Sequence, residues 1–164
     1  MHIARIQKGV NRMAENRGKQ FENVIKEAFE KAQDTVVVRL HDQTTGFRGS
    51  VNPCDFIVFN APRFFAIECK SVHGATFPLS NITDNQWREL LKMSNVRGVY
   101  AGVIVWWVDR DVTRFFDIGY LKQLRDQEYK SIFYSTENGI LIKGKKKRVF
   151  FEYDMEEFFN DLRY

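Results

Sequence analysis

Residues 53–70, PCDFIVFNAPRFFAIECK, constrain this chain more than any other stretch of its length. Two apolar runs, Phe56 to Phe59 and Phe64 to Ile67, flank the turn sequence Asn60 to Arg63, the pattern of a buried β-hairpin. With Phe59 opposite Phe64, the same register puts Asp55 opposite Glu68. Directly opposed residues share a face of the sheet, and Lys70, two residues on, shares it too. Opposed like charges destabilise a sheet, so something must compensate. Lys70 alone would make a structural ion triad. A hard divalent cation is the other solution, since Mg²⁺ is commonly held by one or two carboxylates together with waters and phosphate oxygens. Cys54 and Cys69 are expected opposite each other on the reverse side, as small buried hydrophobes rather than a disulfide.

The rest of the composition suits a folded protein. The 164 residues are expected to form a single domain over 1–164, with 44% hydrophobic residues and 15 phenylalanines to build its core. Net charge is +4 and is unevenly spread. Arg5, Lys8, Arg12, Arg17 and Lys19 lie near the N-terminus, and Lys143, Lys145, Lys146, Lys147 and Arg148 near the C-terminus. Such segments are either solvated surface or contacts for a polyanion. The three histidines are scattered and there is no CxxC, which argues against a zinc site. The longest apolar run, GVYAGVIVWWV (98–108), is too short to span a bilayer. A cytoplasmic protein without membrane association or small-molecule cofactor is expected.

Periodicity predicts a helix over 16–31, with Phe21, Val24, Ile25, Ala28 and Phe29 on one stripe. Residues 1–15 read as a basic arm or extra turns of helix. A strand is expected at 35–40, a polar loop at 41–53, the hairpin, a helix at 84–95, a doubly buried strand at 98–108 and its partner at 112–118. A short helix at 119–127 follows. Residues 139–142 and 148–153 read as a hairpin with the basic run as its loop, and 154–162 as a closing helix. The adjacent aromatic pairs, such as Phe115–Phe116 and Trp106–Trp107, read as core and dimer-interface residues rather than base-stacking platforms. The order implies a mixed sheet flanked by helices.

Asp55, twelve residues, then Glu68-Cys69-Lys70 resembles the PD-(D/E)xK nuclease signature. The flanking motifs RGKQFENVI (17–25), FRGSVNPCDF (47–56), ECKSVHGATFPLSNI (68–82) and NQWREL (85–90) are similar to the RecU-type Holliday junction resolvases of Gram-positive bacteria and their phages. The archaeal resolvases share the plan more loosely. The resemblance covers roughly residues 16–125 and implies an α/β, restriction-endonuclease-like mixed β-sheet. It departs before Asp55, where the projecting stalk of that family is represented only by a shortened loop (41–53).

The resemblance implies that Asp55, Glu68 and the Cys69 backbone carbonyl bind Mg²⁺ or Mn²⁺, and that Lys70 positions the attacking water and the scissile phosphate. Glu22 matches a first-helix carboxylate near the metal; its alternative is a surface pair with Lys26 one turn on. Gln86 matches a glutamine of the following helix, but Thr83-Asp84-Asn85-Gln86 is also a capping box, and the two roles are compatible. Arg39 suits bidentate phosphate binding or a plain strand-end surface position. Thr44, Thr45, Arg48, Lys19, Lys145, Lys146 and Lys147 are candidate DNA contacts, sequence-independent and weakened by salt. The implied activity is symmetric cleavage of four-way DNA junctions by a homodimer, since a junction needs two equivalent nicks. Another nuclease of the same fold, or a non-catalytic DNA-binding accessory protein, are the competing readings.

Overall fold

A computed structural model describes the backbone of residues 2–40 and 52–162, and side chains from Arg17 onward. Its elements in chain order are α1 (His2–Lys31), β1 (Thr35–Arg39), β2 (Phe56–Asn60), β3 (Arg63–Val72), β4 (Thr76–Pro78), α2 (Asp84–Ser94), β5 (Val99–Trp107), β6 (Val112–Asp117), α3 (Ile118–Asp126), β7 (Ser131–Phe133), β8 (Ile140–Leu141), β9 (Gly144–Lys146), β10 (Phe151–Tyr153) and α4 (Met155–Asp161). Residues 2–15, read as an arm or helix, are helical, so α1 runs unbroken into the predicted amphipathic segment.

Six strands form one mixed sheet in the order β1-β2-β3-β5-β6-β8. β3 and β5 are parallel; the other pairings within it are antiparallel. Two apolar layers cover it. On one face α1 and α4 lay Phe21, Ile25, Phe29, Phe158 and Phe159 against Phe56, Phe65 and Trp106. On the other, α2 and α3 bring Trp87, Leu90 and Leu121 against Ala66, Val103, Val105 and Phe116. β5 lies between the layers, which explains its unbroken apolar sequence: every residue from Ala101 to Trp107 is buried. The adjacent aromatics alternate between layers as strand geometry requires, Trp106 and Phe115 to the α1 side, Trp107 and Phe116 to the α2 side.

The hairpin register holds as read. Phe59 pairs with Phe64 and Phe56 with Ile67, and the ladder extends to Asn60 opposite Arg63, leaving Ala61-Pro62 as the turn. The C-terminal region differs. Residues 140–141 do not pair with 148–153; they extend the main sheet beside β6. The basic run is not merely a loop: Gly144–Lys146 is itself a strand paired with Phe151–Tyr153. Exposed ion pairs surround this ladder, with Lys146 on Asp111, Lys147 on Glu152 at 3.0 Å and Lys31 on Glu152 at 3.1 Å. A second small ladder, β4 with β7, ties down the connection after the hairpin.

Close packing at the sheet's centre has one strict requirement. A β-carbon placed at Gly102 would lie 2.2 Å from the Phe116 carbonyl oxygen and 2.6 Å from the Phe115 ring. Gly102→Ala must therefore push β6 away from β5. Overpacking of this kind costs about 1–3 kcal/mol. The expected result is a clear fall in melting temperature by calorimetry, without change in secondary-structure content.

Candidate active site

The ladder between β2 and β3 ends at Phe56–Ile67, while β3 runs on to Val72 paired only with β5. This opens an edge on β3 from Glu68 onward. The chain does not simply continue its register there. The Asp55 N–H bonds to the Ile67 carbonyl at 3.1 Å, one residue short of the expected partner, as in a β-bulge. The slip frees the Asp55 side chain to accept the Cys69 N–H at Oδ2, 2.7 Å away. It also reverses Cys54. Cys54 enters the α2-side core and Cys69 the α1-side core, so the two thiols lie on opposite faces of the sheet rather than facing each other. Burial pushes the Cys54 thiol up to about 12 and Cys69 well above the ordinary range, as expected of inert, packed sulfurs.

Glu68 is almost fully buried, with its side chain 4% exposed. Its Oε1 accepts from Lys70 Nζ at 2.8 Å and from Gln86 Nε2 at 2.6 Å. Gln86 also completes the capping box of α2: its Oε1 accepts the Thr83 N–H at 3.0 Å, while Thr83 Oγ1 accepts the Gln86 N–H at 3.3 Å. Both readings of Gln86 therefore describe one geometry. The cap fixes the carboxamide so that its NH₂ points at Glu68.

On the α1 side Glu22 pairs with Arg39, which also donates to Asn23 Oδ1 at 2.6 Å. The surface alternative for Glu22 is not realised, because Lys26 pairs with Glu30 at 2.6 Å. Arg39 is not a plain surface group: it bridges β1 to α1 and lies over the Phe56 ring. Asp55, Glu68, Lys70, Gln86, Glu22 and Arg39 thus converge where β2 leaves β3, between α1 and α2. Lys19 is exposed on α1. Lys145, Lys146 and Lys147 sit elsewhere, around Lys31 and Glu152, and Lys31 is nine residues beyond Glu22, about 14 Å along the helix axis. Thr44, Thr45 and Arg48 lie outside the described residues.

Several contributors escaped the sequence reading. Asn23 shares Arg39 with Glu22. Asn85 Nδ2 bonds the Asn52 carbonyl at 3.2 Å and so anchors the approach to Asp55 on α2. Arg17 meets His73 Nε2 at 2.7 Å, and His73 Nδ1 meets Asp109 at 2.8 Å, pinning α1 to the end of β3. Arg17, Asn23, Asn52, His73 and Asn85 all lie in the motifs quoted above, but their pairings depend on contacts between distant segments, and Asp109 lies outside every motif.

The electrostatics favour a cation. Burial first, and then the charge of Glu68, pushes the Asp55 carboxyl from 3.8 up to about 8. Burial also raises Glu68, partly offset by Lys70. Among the described residues, Asp55 Oδ1 and Glu68 Oε2 accept no hydrogen bond, so each carboxylate keeps an oxygen for a further partner. The N–H and C=O of one strand residue point to the same side, so the Cys69 carbonyl faces the edge where its N–H meets Asp55. Among the described residues no three His, Cys, Asp or Glu side chains form a metal cage. Two carboxylates and a carbonyl would leave the remaining positions to water and substrate oxygens, which suits Mg²⁺.

No protein-family model and no curated protein sequence matches the chain. Solved structures do match. One is the Hjc Holliday junction resolvase of the archaeal hyperthermophile Archaeoglobus fulgidus, with 22% identity and a TM-score of 0.53, covering 74% of this chain and 91% of that one. The likeness shows the fold: a restriction-endonuclease-like mixed sheet flanked by helices. Among the described residues no helix is long and apolar enough to cross a membrane.

The raised Asp55 carboxyl has a consequence for stability. Below 3.8 both folded and unfolded states hold its proton. Between there and about 8 the folded state binds more protons than the unfolded one, so stability falls as pH rises. Without metal, the melting temperature of the wild type is expected to fall relative to Asp55→Asn across this window. Added Mg²⁺ or Mn²⁺ should restore the wild type and leave the variant unmoved, as read by thermal unfolding.

Proposed function

We propose that this chain is a divalent-metal-dependent endodeoxyribonuclease that resolves four-way DNA junctions, working as a twofold-symmetric dimer in which each site hydrolyses one phosphodiester. The carrying observation is the Asp55–Glu68–Lys70 cluster at the opening of the sheet, braced by Gln86. The fold shared with an archaeal protein titled a Holliday junction resolvase supports the junction as substrate. RecU-type affinity rests on the motifs of residues 17–25, 47–56 and 68–90.

Asp55, Glu68 and the Cys69 carbonyl would hold Mg²⁺ or Mn²⁺, which when bound supplies Lewis-acid stabilisation of charge on the phosphate. Lys70 brings an ammonium to the same place and orients toward the phosphate and the attacking water. Gln86 keeps Glu68 from rotating. Arg39 offers a planar donor pair for a neighbouring phosphate once its hold on Glu22 is exchanged. Lys19 and the lysines of β9 and its turn extend the contact as a salt-sensitive track.

Asp55→Asn tests the reading on a synthetic four-way junction with Mg²⁺. Cleavage is expected to fall by about 10²–10³-fold, the range for losing one electrostatic group of an active site. Junction binding, measured by gel shift, is expected to survive. Cleavage at the wild-type rate sinks the assignment, and linear duplex cut as fast as junction sinks its substrate.

Gln86→Glu separates cap from site. The new carboxylate still accepts from Thr83, so helix stability should hold. It also faces Glu68 with a like charge in place of a donor. Turnover is expected to drop about 10–100-fold, the usual effect of disturbing a group that orients a ligand. Gln86→Ala should add a cap loss of about 1 kcal/mol, visible in thermal unfolding.

A further inference from the structure

Between the start of α2 and the end of α3 lies a cleft of about 610 Å³, lined by Leu79, Ile82, Thr83, Arg125, Tyr129 and Lys130. Small-ligand sites usually enclose about 300–1,000 Å³. Leu79 and Ile82 are buried and give the cleft its apolar part. Tyr129 belongs to none of the adjacent aromatic pairs that fill the core, and it is 57% exposed. It is nevertheless held firmly. α3 ends in a Schellman motif, in which the Tyr129 N–H bonds the Leu124 carbonyl and the Glu128 N–H bonds the Arg125 carbonyl, each at 3.0 Å. Glu128 takes the left-handed conformation there, at φ 66°, where glycine is usual. Keeping a residue with a β-carbon in that conformation costs free energy. Beyond the ring, the Lys130 carbonyl accepts the Leu79 N–H at 2.9 Å, so the backbone is fixed on both sides of Tyr129. Core packing does not account for an aromatic fixed this firmly in solvent.

Two cations share the cleft. Arg125 lies over the ring of buried Trp87, 5.0 Å from its centroid, which holds the guanidinium in place. Its ion-pair partner Asp84 stands 4.0 Å away, and among the described residues Arg125 donates no side-chain hydrogen bond. Lys130 makes no ion pair among them. An exposed aromatic face beside available cations is what a single nucleotide requires. The ring stacks its base, whatever the sequence, and the cations take its phosphate. The cleft also adjoins the candidate active site. Thr83 gives its N–H to Gln86, whose carboxamide reaches Glu68 at 2.6 Å, so one side chain separates the two places.

We propose that this cleft holds an unpaired nucleotide of a DNA strand, next to the phosphodiester at Lys70, with its base on Tyr129 and its phosphate on Arg125 and Lys130. The inference rests on the junction-resolving reading for its substrate. Extracting a base costs least where pairing is already interrupted, so such a cleft favours branch points over linear duplex.

Fluorescence anisotropy tests it, with the full chain and no divalent metal, so that no strand is cut. The probes are a labelled oligothymidylate and two four-way junctions, alike except that one has unpaired thymidines at its branch point. The wild type is expected to bind the oligothymidylate and to prefer the unpaired junction. Tyr129→Ala should weaken oligothymidylate binding about tenfold, the effect of losing one base stack, and should abolish the preference. Tyr129→Phe keeps the ring and should retain both. Lys130→Gln should keep the preference but lower the slope of log K against log salt by about 0.7. Both side chains are exposed, so melting of these variants should match the wild type. Tyr129→Ala binding the oligothymidylate as tightly as wild type, or a wild type indifferent to unpaired thymidines, overturns the proposal. Binding lost with Tyr129→Ala in a protein that cuts no junction with Mg²⁺ sinks the function and leaves the cleft standing; junctions cut by a protein in which Tyr129→Ala changes no affinity do the reverse.

Discussion

Everything at the site depends on the parting of β2 from β3 at Asp55. Had the ladder continued, the Cys69 N–H and carbonyl would be spent on a neighbouring strand, and the Asp55 carboxylate would stand opposite Glu68 with nothing between them. The one-residue slip instead gives Asp55 the Cys69 N–H, leaves the adjacent carbonyl without a strand partner and leaves each carboxylate one oxygen that accepts no hydrogen bond among the described residues. Lys70 supplies one positive charge against two carboxylates, with Glu22 contributing further repulsion. Burying that imbalance costs stability unless the carboxyls protonate or a cation arrives. A purely structural triad would gain more from an apolar replacement.

Much of this was legible because β-hairpins have a two-residue period. Once the turn was placed at Asn60 to Arg63, the partners of Phe56 to Phe59 followed, and Glu68 and Lys70 fell on one face without further assumption. Gln86 was legible twice over, as a cap and as a neighbour of the site, because a helix start fixes the side chain that caps it. Cys54 was misplaced for an instructive reason. Register arithmetic is blind to a bulge, and one slipped hydrogen bond sends every residue beyond it to the other face.

The C-terminal region was harder because its strands are short and their partners are chosen by charge. GILI has the pattern of a strand but not the identity of its partner, and a lysine run has no apolar alternation to announce β9. Glu152 accepts from both Lys147 and Lys31, which holds its carboxyl down at about 2. Such pairs are individually weak when exposed, and they settle a pairing only when a turn has already brought the segments together. The Lys147 N–H to Phe150 carbonyl bond, 2.8 Å long, is that turn.

The same charges set the terms on which a polyanion approaches. Arg39, a second cation at the site beside Lys70, is already engaged by Glu22 and Asn23. Were the Glu22 pair exchanged for a phosphate, the freed carboxylate would stand near Asp55 and Glu68, whose ionisation it already opposes. Under the proposed function, such an exchange would make the pocket more negative as a phosphate entered it. That step would be favourable only if positive charge entered with the phosphate, which would couple Arg39, through Glu22, to cation affinity at Asp55 and Glu68. α1 would carry this coupling, since it holds Glu22 on one turn and buries Phe21 and Ile25 against the sheet beside it.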